Sequence, residues 1–287
     1  RLAVLGMGRL GSREMTATSD LDLVVLYDFD PEGGDSDGAR PLDPTVYFAR
    51  LTQRLISALT VPTRRGTLYA VDMRLRPSGN KGPAATQYRG FLDYHFGSEA
   101  DVWEHLALVR ARPVAGDQVF MNEVADQLQK ILVKPRTIKA IRGGAREMRT
   151  LLAAEKGNRD PWDFKHVEGG LMDIEFVAQS LVLEQGANHP DVIAPETTAI
   201  LIKARDLGLM DAGDAQPLIE TYNLMRDMMQ WLRAMVSGNF SPAKADRALL
   251  KRLASLAGLP DFKVLESHFA ELRARTSSVV KKRLADP

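Results

Sequence analysis

Cysteine is absent from this chain of 287 residues, which excludes disulfides, thiolate metal sites and a cysteine nucleophile. Charge of one sign is lacking too. Lysine plus arginine number 38 against 37 for aspartate plus glutamate, a net +1, so no global field draws the chain to nucleic acid or to a membrane, and any electrostatic function is local. No apolar run approaches ~18 residues and no charged-then-apolar leader is present, which argues against a membrane span or a signal peptide. These absences are compatible with a reducing, cytoplasmic setting, the expected location.

What remains is 45% hydrophobic and 26% charged, the composition of an ordinary globular protein with a sizeable core. Arg1 stands directly before a strand-like stretch at residues 2–5, so the chain is read as a piece of a longer protein. Up to about residue 116 the pattern is α/β. It runs as a strand at 2–5, a glycine turn at 6–11, a short helix from Ser12, a strand at 21–27, a loop rich in Asp, Gly and Pro at 28–44, and a helix over 45–59. Residues 66–75 return to period two. From residue 117 onward helical patterns follow one another at 119–133, 137–154, 171–184, 197–207 and 212–236, with several more to Leu284, and strand signals vanish. The expected organisation is therefore α+β: a catalytic domain over 1–116 with a small mixed sheet and helices, then an all-α helical bundle over 117–287.

The most informative stretch is "GMGRLGSREMTATSDLDLVVLYD". Asp20 and Asp22 head a run as apolar as Leu23, Val24, Val25 and Leu26, where an unpaired buried carboxylate is very costly. Something positive must meet them. In "LYAVDMRLRP" a strand would place Asp72, Arg74 and Arg76 on one face, opposite Val71, Met73 and Leu75. Three carboxylates on adjacent strands could hold two divalent metals ~3.5–4 Å apart, as in nucleotidyl displacement. Oxygen ligands suit magnesium or manganese. Upstream, Gly8 and Gly11 with Ser12 at a helix start offer N–H groups to a triphosphate.

Each signal also has an ordinary reading. A D-x-D pair is commonly a pair of solvated turn residues, D-x-R-x-R can be a salt-bridge ladder, and "GMGRLG" lacks the acidic residue of a dinucleotide-binding unit. Trp103-Glu104-His105 and Arg110-x-Arg112 either line the cleft or form a surface helix. Asp173 and Glu175 diverge on a helix surface, Asp173 favouring the helix dipole. His166 and His189 lack metal-helix spacing, and Met225, Met228, Met229 and Met235 read as packing. The joint order of glycine turn, D-x-D strand and third aspartate is what carries weight.

That order, Gly11-Ser12, Asp20-x-Asp22, then Asp72, resembles the polymerase-β-like nucleotidyltransferase superfamily. More closely, it and the blocks "VDMRLRPSGNKGP", "WEHLALVRARPV" and "GGLMDIEFVAQSLVL" resemble the bacterial glutamine synthetase adenylyltransferase family. The resemblance implies AMP transfer from ATP to a tyrosine of glutamine synthetase, with release of pyrophosphate. It implies Asp20, Asp22 and Asp72 as catalytic, magnesium-binding residues, and Gly8, Gly11, Ser12, Arg74, Arg76 and Arg110 at the nucleotide. Whether Arg74 or Arg76 meets phosphate stays open. A PII signalling protein and glutamine are implied as regulators of the whole, multifunctional enzyme. The family carries two homologous halves, one adding AMP and one removing it by phosphorolysis. Ser78, His105 and Arg110 match the adding, C-terminal half, whereas Glu168 stands where the family usually has proline before Gly169-Gly170. The alternatives are deadenylylation by the same site, or a catalytically silent module that docks a regulator.

Overall fold

The computed structural model describes every residue except 65, 68 and 158. Among them two compact units stand out, Arg1–Lys134 and Pro135–Pro287.

The first unit is built on two strands that the sequence makes almost wholly apolar. Strand β1 (Leu2–Gly6) and strand β2 (Leu21–Tyr27) run antiparallel, from Leu2 opposite Tyr27 to Gly6 opposite Leu23. Ala3, Leu5, Val25 and Leu26 are fully buried, because these strands are covered on both faces, where a continuous apolar run is stable and an alternating one is not. Between them lies α1 (Gly8–Gly11), a single turn that begins earlier than the helix expected from Ser12. Helix α2 (Pro44–Thr60) starts where Asp43 accepts hydrogen bonds from the backbone N–H of Thr45 (2.8 Å) and Val46 (3.4 Å), with Pro44 in the first turn. It stops before the Val61-Pro62 pair, where a residue preceding proline disfavours helix. Its Leu55, Ile56 and Leu59 cover Val4, Leu23, Val25 and Met73, and its Phe48 stacks on Tyr27 with ring centroids 4.6 Å apart.

The second edge of β2 decides where the site lies. Strand β3 (Val71–Asp72) and strand β4 (Ala85–Gln87) both pair with β2 in parallel: Leu21 with Val71 and Asp22 with Asp72, then Val25 with Ala85 through Tyr27 with Gln87. The loop between them leaves the β2 edge and returns to it. The expected strand over 66–75 thus shrinks to two residues, and Leu68 lies outside the described ones. The Pro77-Ser78-Gly79 stretch turns the chain away, with Ser78 and Gly79 at φ +59° and +54°. Helices α3 (Tyr88–Phe96) and α4 (Val102–Leu108) lead into strand β5 (Arg112–Gly116), which pairs antiparallel with β1 and was not foreseen. Helix α5 (Gln118–Leu132) packs on β5 and β1. This is why the first unit runs to Lys134, past the expected division at 116.

The second unit is helical: α6 (Ile138–Lys156), α7 (Leu171–Gln185), α8 (Thr197–Asp206), α9 (Ala212–Met235), α10 (Arg247–Leu256) and α11 (Phe262–Arg283). Every residue of α7 from Leu171 to Leu183 is buried, with α6, α8, α9 and α11 packed around it. A helix apolar on all sides belongs at a bundle centre. Asp173 and Glu175 are therefore interior, not surface groups. Asp173 takes the Gly169 N–H at 2.6 Å and pairs with Arg149, while Glu175 accepts from the Tyr222 hydroxyl at 3.2 Å. Each buried carboxylate is paired, as its burial requires. Glu168 is exposed and meets Ser277 and Lys281 of α11.

Candidate active site

A cavity of about 470 Å³ opens beside the β2 edge, lined by Asp20, Asp72, Arg74, Arg76 and Asn80 on its polar side. Ile56, Ala70, Val71, Met73 and Ala84 form its apolar side. Asp20 and Asp72 are thus brought together as the sequence predicts, and the parallel register sets Asp22 beside Asp72 on the next strand. Asp22 faces the glycine turn: its carboxylate lies against the Gly8 α-carbon, and its backbone carbonyl accepts the Met7 N–H at 2.8 Å. A Cβ at Gly8 would overlap Asp22 Oδ2, and the residue sits at φ +48°, where L side chains are strained.

The two arginines after Asp72 separate cleanly. Because β3 ends at Asp72, the chain folds back. The Arg74 backbone N–H (2.8 Å) and guanidinium (Nε at 2.8 Å, Nη2 at 2.5 Å) all donate to the Asp72 carboxylate. These bonds, the guanidinium's above all, hold the Asp72 carboxyl below the usual aspartate range against the opposing effect of burial. Arg74 remains 69% exposed at its side chain, so its guanidinium is open to the cavity. Arg76 is committed to the loop itself. Its Nη1 donates to the Met73 carbonyl (2.7 Å) and its Nη2 to the Gly82 carbonyl (3.2 Å), stapling the loop that carries Asn80. Sequence reasoning missed Asn80 and Ile56; the turn residues Pro77-Ser78-Gly79 were the available signal for the first.

Gly8, Gly11, Ser12 and Arg110, expected at the nucleotide, do not line the cavity, and neither does Asp22, which adjoins it through its register with Asp72. Gly11 and Ser12 give their N–H groups to the Met7 and Gly8 carbonyls, closing the α1 turn. Ser12 is fully buried, and Arg110 is 6% exposed. Arg110 donates to Ser12 Oγ at 2.9 Å and to Glu14 Oε2 at 3.2 Å. Nor do Glu104 and His105 reach the cavity. Both are buried in α4, with His105 Nε2 3.1 Å from the His95 carbonyl. Burial holds Glu104 above the usual carboxylate range, although it accepts from Asp101 N–H (2.9 Å) and the Tyr94 hydroxyl (2.9 Å). Its ionised form is thus penalised in the folded protein, a cost present above the raised folded pKa and relieved as pH falls through it. Glu104→Gln keeps an acceptor for both donors, so it is expected to raise the thermal midpoint at about pH 8 and to lose that advantage towards about pH 4. Paired melting curves check the sign.

The carboxylates were expected to form a metal centre. Their donor set is oxygen only, with Asp22 and Asp72 on paired strand positions and Asp20 just before β2, and its chemistry fits a hard divalent cation. Among the described residues, however, no three acids or histidines are grouped so as to hold one cation, and Asp72 is engaged by Arg74.

Comparison with known proteins now bears on this geometry. Residues 1–127 match the family of glutamate-ammonia ligase adenylyltransferase. Along nearly its whole length the chain is also similar to proteins called bifunctional glutamine synthetase adenylyltransferase/adenylyl-removing enzyme. It is 45% identical to that of Xanthobacter autotrophicus over 98% of the chain, and 46% identical to that of Rhizobium meliloti over 95%. The relative from a Bradyrhizobium species is 45% identical over 96%. The chain spans 28% of the length of each of these relatives. The family resemblance read from the four sequence blocks is borne out. No helix among the described residues is long and apolar enough to cross a membrane.

Proposed function

We propose that this chain transfers AMP from ATP to a tyrosine of glutamine synthetase, with Arg1–Lys134 as the catalytic unit. The observation that carries the reading is the register of Asp22 beside Asp72, with Asp20 on the same cavity, in a chain similar along its length to glutamine synthetase adenylyltransferases. The phenol oxygen attacks the α-phosphorus and releases its proton to solvent, the bond from that phosphorus to the bridging oxygen breaks, and pyrophosphate leaves. Asp72 presents a carboxylate to the cavity that already partners one positive charge, so we assign it an electrostatic role and not that of general base. Arg74, exposed in the cavity, is our choice for the phosphate contact, since a guanidinium binds phosphate oxygens in pairs. Asp20, Asp22 and Asp72 are the residues that would hold a divalent ion, magnesium by donor chemistry, once Arg74 turns from Asp72 to the nucleotide. Such an ion supplies neutralisation of phosphate charge. The apolar wall of Ile56, Val71 and Met73 suits a flat ring and excludes water from that end.

A second direction, removal of AMP by phosphorolysis, is favoured by one observation: the relatives are named for both activities. His105 and Arg110, which match the adding half, are buried away from the cavity and do not act on direction by contact. One experiment separates the two. The chain is incubated with magnesium, glutamine synthetase and ATP labelled in the α-phosphate, and in parallel with adenylylated glutamine synthetase and phosphate. Label on the protein substrate is expected in the first arm and no ADP in the second. ADP in the second alone reverses the direction, and neither product overturns the reading.

A further inference from the structure

The block "WEHLALVRARPV" contributes no residue to the cavity, yet it supplies two arginines to one short turn. Helix α1 is four residues long, too short to hold its own shape, since a first turn fixes several dihedrals for one hydrogen bond. Its placement depends on what grips its ends. At the start, the Met7 N–H donates to the Asp22 carbonyl at 2.8 Å. At the far end the Arg13 N–H reaches the Leu10 carbonyl at 3.3 Å and the Glu14 N–H the Arg9 carbonyl at 2.9 Å, and a side chain from β5 adds to these bonds. Arg112 Nε donates to the Gly11 carbonyl at 3.2 Å and its Nη2 to the Leu10 carbonyl at 3.4 Å. Arg110 grips the following residues through Ser12 Oγ and Glu14. The approach is close: a Cβ at Gly11 would overlap the Arg110 carbonyl. Arg112 is itself fixed, opposite Gly6 in the β1–β5 pairing.

We propose that Arg110 and Arg112 are positioning residues that clamp the end of α1 to the start of β5 and so fix Gly8 against the Asp22 carboxylate. Neither touches the cavity; both act through α1. Where it concerns turnover, this rests on the nucleotidyl-transfer reading of Asp22. The guanidiniums also complement the negative end of the turn, which lysine could do with fewer bonds.

The test uses the full 287-residue chain with Arg112→Met, Arg112→Lys and the double variant Arg110→Met/Glu14→Gln, which leaves no unpaired buried charge. Amide hydrogen exchange followed by peptide should show residues 8–12 exchanging about tenfold faster in Arg112→Met and in the double variant, with β2 amides at parental rates. Arg112→Lys should restore part of the protection. In transfer assays KM for ATP should rise about fivefold while KM for glutamine synthetase stays parental, a split that a loss of folded fraction alone would not produce. Parental exchange at residues 8–12 overturns the proposal. So does a uniform rise across the whole unit, which would make the arginines merely stabilising. A parental chain with no transfer activity would overturn the function proposed above and leave the exchange measurement to decide this one.

Discussion

Asp22→Asn is expected to lower AMP transfer by about a thousandfold or more while leaving the thermal midpoint close to that of the parent. The substitution keeps the shape of a residue that ends beside Gly8 and across from Asp72, and removes one of three neighbouring negative charges. Charge repulsion among them falls, so folding does not suffer. The attraction for a cation or a developing positive centre falls as well, and with it the reaction. Single-turnover transfer from labelled ATP, run beside a melting curve, reads both quantities. Transfer within tenfold of the parent would remove Asp22 from the site.

Gly8→Ala should be nearly as damaging, for steric reasons. The new methyl would overlap Asp22 Oδ2, and the backbone at φ +48° adds about 1–2 kcal/mol of strain for an L side chain. Either the turn lifts or the carboxylate rotates away, and displacement on the ångström scale costs about a hundredfold in rate. Gly34→Ala is the control. It shares the positive φ, at +68°, but meets nothing within 4 Å. A hundredfold loss at Gly8 with near-parental activity at Gly34 separates collision from backbone strain; equal losses in the two would refute the steric argument.

Much of this molecule could be read from its sequence, and the misses share a cause. The long helices α5 to α9 and strands β1 and β2 announce themselves through sustained periodicity or unbroken apolar runs. Strands β3 and β4, with two and three residues, are too short for a period and exist because the β2 edge offers them partners. Strand β5 carries Arg112 and Pro113, poor strand signals overridden by pairing with β1. In the site, aspartate identity and order sufficed to bring Asp20, Asp22 and Asp72 near one another. What sequence could not distinguish was where each arginine spends its hydrogen bonds. Arg74, Arg76 and Arg110 look alike in the chain, yet one faces a carboxylate in the cavity, one staples its own loop and one is buried behind a turn. Nor could sequence show that the Ser12 N–H closes the α1 turn onto the Gly8 carbonyl while its hydroxyl accepts from an arginine 98 positions away.

The attachment of β3 and β4 to the same edge of β2 has a consequence for how this site can change over time. Met73 stays in the sheet core with Val4, Leu23 and Val25 and Arg74 stays on Asp72, but the segment between Arg74 and Ala85 bulges from one strand edge and returns to it, so the paired strands do not rest on its length. That segment is a cassette. Grafting a different segment between these two anchor points would alter one wall of the cavity and leave the Asp22–Asp72 pairing in place, so that recognition can drift while chemistry is held still.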